Sequence, residues 1–347
     1  MNDLRLDPHA VYAKLRGILC DDVTDDEIRR KADLVVRIEQ LKRERNAIVL
    51  GHNYMEPALY HTIPDFVGDS LELSRRAAEA QCDTIVFCGV RFMAETAKIL
   101  NPTRTVLLPS PEAGCSLASS ILAADVRALR RKYPGAPVAA YVNTYADVKA
   151  EVDICCSSAN AGAVLASLDA PQVIFLPDEY LARNVAREAG RSIAIESPET
   201  LGDAPFDAQV IGWQGRCEVH ERFTVDDVRN ARARNPGLVT LAHPECSPAV
   251  VEACDFSGST SAMIRYVEST PAPSYLLLTE CSMADNIAAA NPDRTLLRLC
   301  SVRCPHMGEI TLEQTLESLE LDRYRIEVDD DQRERALRSI EKMLAVS

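Results

Sequence analysis

The sequence contains no run of about 18 apolar residues, so it offers no ordinary membrane-spanning helix. Its first residues, MNDLRLDPHAVYAKLRG, lack the apolar core behind a basic head that marks a secretory leader, and a cytoplasmic protein is expected. A positive excess is missing as well. The 52 acidic and 38 basic side chains leave a formal net charge of -14, which removes the electrostatic footprint of a nucleic-acid binder or of a protein held on an anionic membrane. Any anion bound here must be caught by local dipoles and hydrogen bonds. No low-complexity stretch interrupts the chain, so no flexible linker is expected. Tryptophan occurs once, as Trp213.

Cysteine is plentiful. Twelve thiols exceed what a reducing compartment needs, and disulfides are unexpected there. A soft metal or an iron-sulfur centre reconciles the two facts. Most of the twelve, including Cys20, Cys82, Cys88, Cys155, Cys156, Cys254 and Cys281, sit in apolar or helical surroundings with no second ligand type nearby and read as small core residues.

At 347 residues the chain is too long for one small domain. Residues 1–45 read as a helical lead-in, with Thr24 and Glu27 spaced as a capping box before Ile28, Leu34, Val35, Ile38 and Leu41 at helical intervals. From residue 46, short β-branched runs alternate with helical patterns, which indicates parallel sheets with crossover helices. The alternation recurs three times, over 46–118, 119–222 and 223–310, and a charged helical segment, 311–347, packs on the body. In each copy a strand ends in a polar signature, a serine follows, and a cysteine closes the unit. The signatures are HNY with His52 and Tyr54, YVNT with Tyr141 and Asn143, and HPE with His243 and Glu245. From the strand end to the serine the distances are 18 residues (His52 to Ser70), 17 (Tyr141 to Ser158) and 16 (His243 to Ser259). MAETAKILNPTRTVLLP in the first copy also aligns with MADNIAAANPDRTLLRL in the third.

Ligands of parallel α/β sheets bind beyond the carboxyl ends of the strands, where these signatures fall. They supply donors, acceptors and one carboxylate, Glu245, suited to general acid/base work. Ser70, Ser158 and the Ser259/Thr260 pair lie in or just before the first turn of predicted helices. There they either cap the helix or, with its free N–H groups and positive dipole end, hold carboxylate or phosphate. Cys115, Cys217 and Cys304 come one from each copy, which fits no zinc-finger spacing. Three thiolates suit a 4Fe-4S cluster with one open iron able to act as a Lewis acid, or a three-thiolate zinc site. Within GWQGRCEVHE, Cys217 itself admits three local readings: a packed thiol, a nucleophile paired with His220, or a metal ligand. His220 has no counterpart in the other copies and is expected to pack or to support its neighbours.

The strings HNY, VGDSLELSR, GVRFMAETAKILNP, AGCSLA, YVNTYADVKA, CSSANA, GWQGRCEVHE, HPEC, SGSTSAMI and CPHM, spread over about residues 46 to 320, resemble the quinolinate synthase family. The resemblance implies three αβα domains about a pseudo-threefold axis around a central cavity. It also implies a 4Fe-4S cluster held by Cys115, Cys217 and Cys304. The implied reaction is condensation of iminoaspartate with dihydroxyacetone phosphate to quinolinate, phosphate and two waters, a transferase reaction of NAD biosynthesis. It implies functional coupling to L-aspartate oxidase, the source of the imine. The substrate contacts it implies are His52, Ser70, Tyr141, Asn143, Ser158, His243, Glu245 and Thr260, with Ser259 sharing that role and with Tyr54 and Met307 near the same cavity. Glu245 is then the acid/base, helped by His243, with Tyr54 or Tyr141 relaying protons. Two features depart from the family pattern: the stretch from His52 to Ser70 is one residue longer, and Cys300 and Cys304 are separated by three residues.

Overall fold

The computed structural model describes residues 4–19, 22–297 and 302–346. Thirteen strands occur among them, in three sheets of four, five and four strands, and every described pairing between two of these strands is parallel. The first sheet contains β1 (Ala47–His52), β2 (Phe66–Gly68), β3 (Thr84–Cys88) and β4 (Thr105–Leu107), in the order β2-β1-β3-β4. The second contains β5 (Val138–Tyr141), β6 (Ile154–Cys156), β7 (Val173–Leu176), β8 (Ile193–Glu196) and β9 (Val210–Trp213), in the order β6-β5-β7-β9-β8. The third contains β10 (Leu238–Ala242), β11 (Phe256–Ser257), β12 (Ser274–Leu278) and β13 (Leu296–Leu297), with β10 between β11 and β12. The strands β3, β5, β7, β9 and β12 are buried at every residue, which explains why they read as continuous apolar runs and not as alternating ones. The α/β class and the three sheets match the expectation. The second sheet has one strand more than the other two: β8 lies at its edge beyond β9, and this excursion helps lengthen the spacing from Cys115 to Cys217.

The repeat extends to a detail that periodicity does not reveal. An aspartate just before the second strand of each copy reaches back to the first. Asp65, Asp153 and Asp255 accept the N–H groups of Val49, Val138 and Thr240, each at 2.8 Å, and their own N–H groups donate to the carbonyls of those same residues. Each carboxylate also meets a cation from the helix preceding its sheet: Lys42 at 2.9 Å, Arg130 at 2.9 Å and Arg232 at 2.8 Å. The helix Asp25–Glu44, set apart in the sequence as a lead-in, therefore makes the contact that helices Ala123–Lys132 and Val225–Arg234 make in the later copies. Thr24 caps it by accepting the N–H of Glu27 at 3.3 Å.

The chain divides into two compact units. One comprises Met1–Gly114 with Glu280–Glu327, the other Cys115–Thr279 with Val328–Ser347. In the first, helix Leu312–Leu321 packs on Asp25–Glu44 and β3. In the second, helix Asp330–Ala345 packs on β6 and on Ala146–Lys149. The segment 311–347 is thus shared between the two units.

Candidate functional site

In the second unit, β5 ends at Tyr141 and β10 is followed at once by His243. His243 Nδ1 accepts the Glu245 N–H at 3.3 Å, turning the loop so that the glutamate side chain lies inward and buried. A ring that accepts at Nδ1 presents Nε2–H as a donor. Four groups converge on Glu245. Asn143 Nδ2 donates to Oε1 at 3.2 Å, the Tyr141 side chain hydrogen-bonds the carboxylate, His220 Nδ1 lies 2.7 Å from Oε2, and the His243 ring stacks on that of His220 with centroids 4.6 Å apart. Burial works against ionisation of Glu245, but the two histidines and the phenol outweigh it and hold the carboxyl below the ordinary glutamate range. His243 contributes less than its ion-pair geometry implies, because its Nδ1, 3.9 Å from Oε2, is already accepting a backbone proton. Asp178, buried nearby as the N-cap of helix Glu179–Glu188, behaves oppositely. Desolvation and then the Glu245 charge push its carboxyl well up.

Cys217 reaches this group through the loop after β9. Trp213 is fully buried and its Nε1 donates to the Ser120 carbonyl at 2.9 Å, tying the Cys217 loop to the turn that begins at Cys115. Gly215 is required by that approach: a β-carbon there would lie 2.5 Å from the Pro177 carbonyl and closer still to Ser120 Oγ. Cys217 Sγ is 3.2 Å from His220 Nδ1, and one ligand atom from each of Cys217, His220 and Glu245 falls within 4.8 Å of the others. His220 Nε2 is 3.0 Å from Thr279 Oγ1. Burial first, then Glu245 and Cys115, push the Cys217 thiol well up. Two thiols and a carboxylate crowded together at low dielectric form a donor set whose mutual repulsion a bound cationic centre would relieve, so these residues fit a metal cofactor. His220 is the residue most undervalued by spacing alone. The repeat offers no equivalent, yet its ring joins the thiol to the carboxylate.

In the first unit, β1 ends at His52, whose Nδ1 accepts the Tyr54 N–H at 3.2 Å, the same turn as at His243. Tyr54 lines a cavity of about 130 Å3 with Glu56, Glu280, Ser282, Arg303, Cys304 and Met307 among its walls. Cys304 is the N-cap of the short helix Pro305–Gly308. Glu280 is buried at the N-cap of helix Cys281–Ala290. Its carboxylate accepts Ser282 N–H at 2.7 Å and hydrogen-bonds the Cys304 backbone, and burial outweighs these contacts to push its pKa up to about 7. Sequence reading passed over Glu280 and Asp178. The available signal was their shared place, one carboxylate after the third strand in LPDE and LTE.

Register sorts the hydroxyls. His52 pairs with Gly68 and Tyr141 with Cys156, which puts Ser70 and Ser158 two positions beyond each pair. In the third sheet Ala242 pairs with Ser257, so the strand-end residue His243 is level with Gly258 and Thr260 lies two positions beyond. Ser70 and Thr260 are each the first residue of a ten-residue helix, while Asp69 and Ser259 are the caps. Ser158 precedes the seven-residue helix Ala161–Ser167. Of the remaining thiols, Cys82, Cys88, Cys155, Cys156 and Cys281 are buried, and Cys88 is pushed up to about 12 by burial, as expected of packed residues. Cys20 and Cys300 lie outside the described residues. No helix among the described residues is long and apolar enough to cross a membrane.

Residues 36–345 match the family described as quinolinate synthetase A protein. Quinolinate synthase 2 of Mesorhizobium japonicum is 52% identical over 309 residues, covering 89% of this chain and 90% of that one. The quinolinate synthase of Agrobacterium fabrum is 50% identical over 314 residues, covering 90% and 86%. That of Xylella fastidiosa is 47% identical over 339 residues, covering 97% and 95%. With a match of this extent, the chain belongs to the quinolinate synthetase A family.

Proposed function

We propose that this chain is a cytoplasmic quinolinate synthase of NAD biosynthesis, a transferase that condenses iminoaspartate with dihydroxyacetone phosphate to quinolinate, phosphate and two waters. The observation that carries the reading is the ionised, buried Glu245 with three donors around it, set beside Cys217 and within the family's sequence match. Cys115, Cys217 and Cys304 would hold a 4Fe-4S cluster, which when bound supplies Lewis acidity for the dehydrations.

The protein's own groups supply the rest. Glu245 is the base for enolisation of the ketose and for the later proton removals, since its carboxylate form is the one populated at neutral pH. His220, which donates through Nδ1 to this carboxylate and faces the Thr279 hydroxyl with its far nitrogen, orients the base. Tyr141 and Tyr54 are the phenols available to return protons to departing hydroxyls. Asn143 Oδ1, buried and without a protein partner among the described residues, is an acceptor for a substrate N–H or O–H. His52 and His243 donate through Nε2. Ser70 and Thr260, at helix starts with Ser259 as a neighbouring cap, take the carboxylates or the phosphate, and Ser158 contributes its hydroxyl.

Anaerobic purification with iron and sulfide analysis, coupled to a quinolinate assay, tests the reading. Product should form only when both substrates are present, and Cys115→Ala, Cys217→Ala and Cys304→Ala should each lose the iron. Turnover of a single tricarboxylate without dihydroxyacetone phosphate would instead identify a hydro-lyase. The close approach of Cys217, His220 and Glu245 favours one competing reading, a mononuclear metal on those three. Stable zinc without sulfide, lost in His220→Ala, would establish it. Supplying the imine from L-aspartate oxidase in place of free iminoaspartate tests the proposed coupling, which predicts a faster approach to steady state than the free imine gives.

A further inference from the structure

Two buried asparagines hold the loops on which the proposed chemistry depends. Asn184 Nδ2 donates to the carbonyls of Pro244 at 2.9 Å and Cys246 at 3.0 Å, the two residues that bracket Glu245. Asn286 Nδ2 donates to the carbonyls of Asn53 at 3.2 Å and Met55 at 2.9 Å, the two that bracket Tyr54. Both side chains are almost wholly buried, and in both Oδ1 has no protein partner among the described residues, so the amide protons do all the holding. Each asparagine is the sixth residue of the helix that follows the third strand of its repeat, Glu179–Glu188 after β7 and Cys281–Ala290 after β12. In the first repeat the same helix, Arg91–Leu100, has Thr96 at that place, and its hydroxyl donates to its own helix at Phe92 O. The loop after β5 closes on itself instead: Thr144 Oγ1 donates to Tyr141 O at 3.1 Å, and the buried Lys149 Nζ donates to Thr144 O. The clamp thus occurs on the two loops that begin with histidine and carry a proton-transfer candidate two residues on.

We propose that Asn184 and Asn286 are positioning residues that fix Glu245 and Tyr54 for proton transfer. A side chain that bonds the carbonyls on both sides of a residue fixes the direction of its Cα–Cβ bond, and an error near 1 Å there is costly in rate. The inference rests on the functional reading above for the roles of Glu245 and Tyr54, but the clamps themselves can be read without turnover.

The test combines local hydrogen exchange with kinetics on the loaded enzyme. Asn184→Ala should speed exchange within 243–247 and lower kcat by about 10–100-fold, the range for groups that orient a site, without a comparable change in either KM and with iron and sulfide content unchanged. Asn286→Ala should do the same at 53–55. Combined with Glu245→Gln, Asn184→Ala should add little further loss while Asn286→Ala retains its own, and in Tyr54→Phe the order should reverse. Asn184→Ser and Asn286→Ser, smaller but retaining one donor, serve if an alanine variant does not fold, and should lose less. Wild-type kcat despite locally faster exchange would overturn the proposal, as would equal losses in both backgrounds or exchange that rises across the whole chain. A wild-type enzyme that makes no quinolinate would defeat the functional reading, and unchanged local exchange would separately defeat the clamp.

Discussion

The loops after β1 and β10 share one construction and diverge at one residue. In both, a histidine at the strand end accepts the N–H two positions on, and in both an asparagine bonds the flanking carbonyls. At the third position one loop has Tyr54, facing a cavity, and the other has Glu245, enclosed by Asn143, Tyr141 and His220. A duplicated scaffold has kept its backbone hydrogen bonds while the residue it presents has changed. The lesson is that the repeat preserves presentation and leaves the chemistry to the presented side chain.

Exchanging the presented groups should break this comparison most sharply. Glu245→Gln is expected to keep its iron and sulfide and to lose about 100-fold or more in kcat, as removal of a general base does, whereas Tyr54→Phe should lose distinctly less. Near-normal turnover in Glu245→Gln would remove it as the base. The threefold aspartate contact gives the next largest effect, because one chemistry is repeated at different depths. Lys42 is 5% exposed and bonded to Glu39, the Ile63 carbonyl and Asp65, so Lys42→Met should cost about 3–5 kcal/mol in denaturant unfolding.

The buried carboxyl of Glu280 adds a pH signature. Its pKa is raised from 4.5 in the unfolded chain to about 7 in the fold, so the folded state binds the extra proton between those values. Stability should therefore be highest below about pH 4.5 with respect to this group and fall by up to about 3 kcal/mol as pH rises through 7. Thermal midpoints of the metal-free protein, followed from pH 5 to 8, should drop less in Glu280→Gln than in wild type, and parallel curves would refute the assignment. The smallest effects belong to the outer copies of the aspartate contact. Arg130 and Arg232 are 35% and 39% exposed, and Arg130→Met or Arg232→Met should cost no more than about 1 kcal/mol in the same unfolding measurement.

Much of the site was legible in the sequence because it sits where the period of the fold changes. His52, Tyr141 and His243 each stand where a buried apolar run stops, and the following helix start is marked by small polar residues at nearly constant spacing. Legibility failed where a contact joins residues far apart in sequence. His220 could be judged only by comparison with the other copies, and its bonds to Cys217, Glu245 and Thr279 depend on packing between distant loops. Asn184 lay in an ordinary amphipathic helix, and nothing local distinguished it from a surface amide.

The sequence by itself determined the α/β alternation, the threefold repeat, the family and the strand-end residues, because these follow from hydrophobic period and from motifs whose members are close together. Tertiary structure decided which neighbours those residues have. It lowered the pKa of Glu245, pushed that of Asp178 well up, and raised that of Glu280 to about 7. Ionisation depends on burial and on charges a few ångströms away, and neither is a property of a residue's place in the chain.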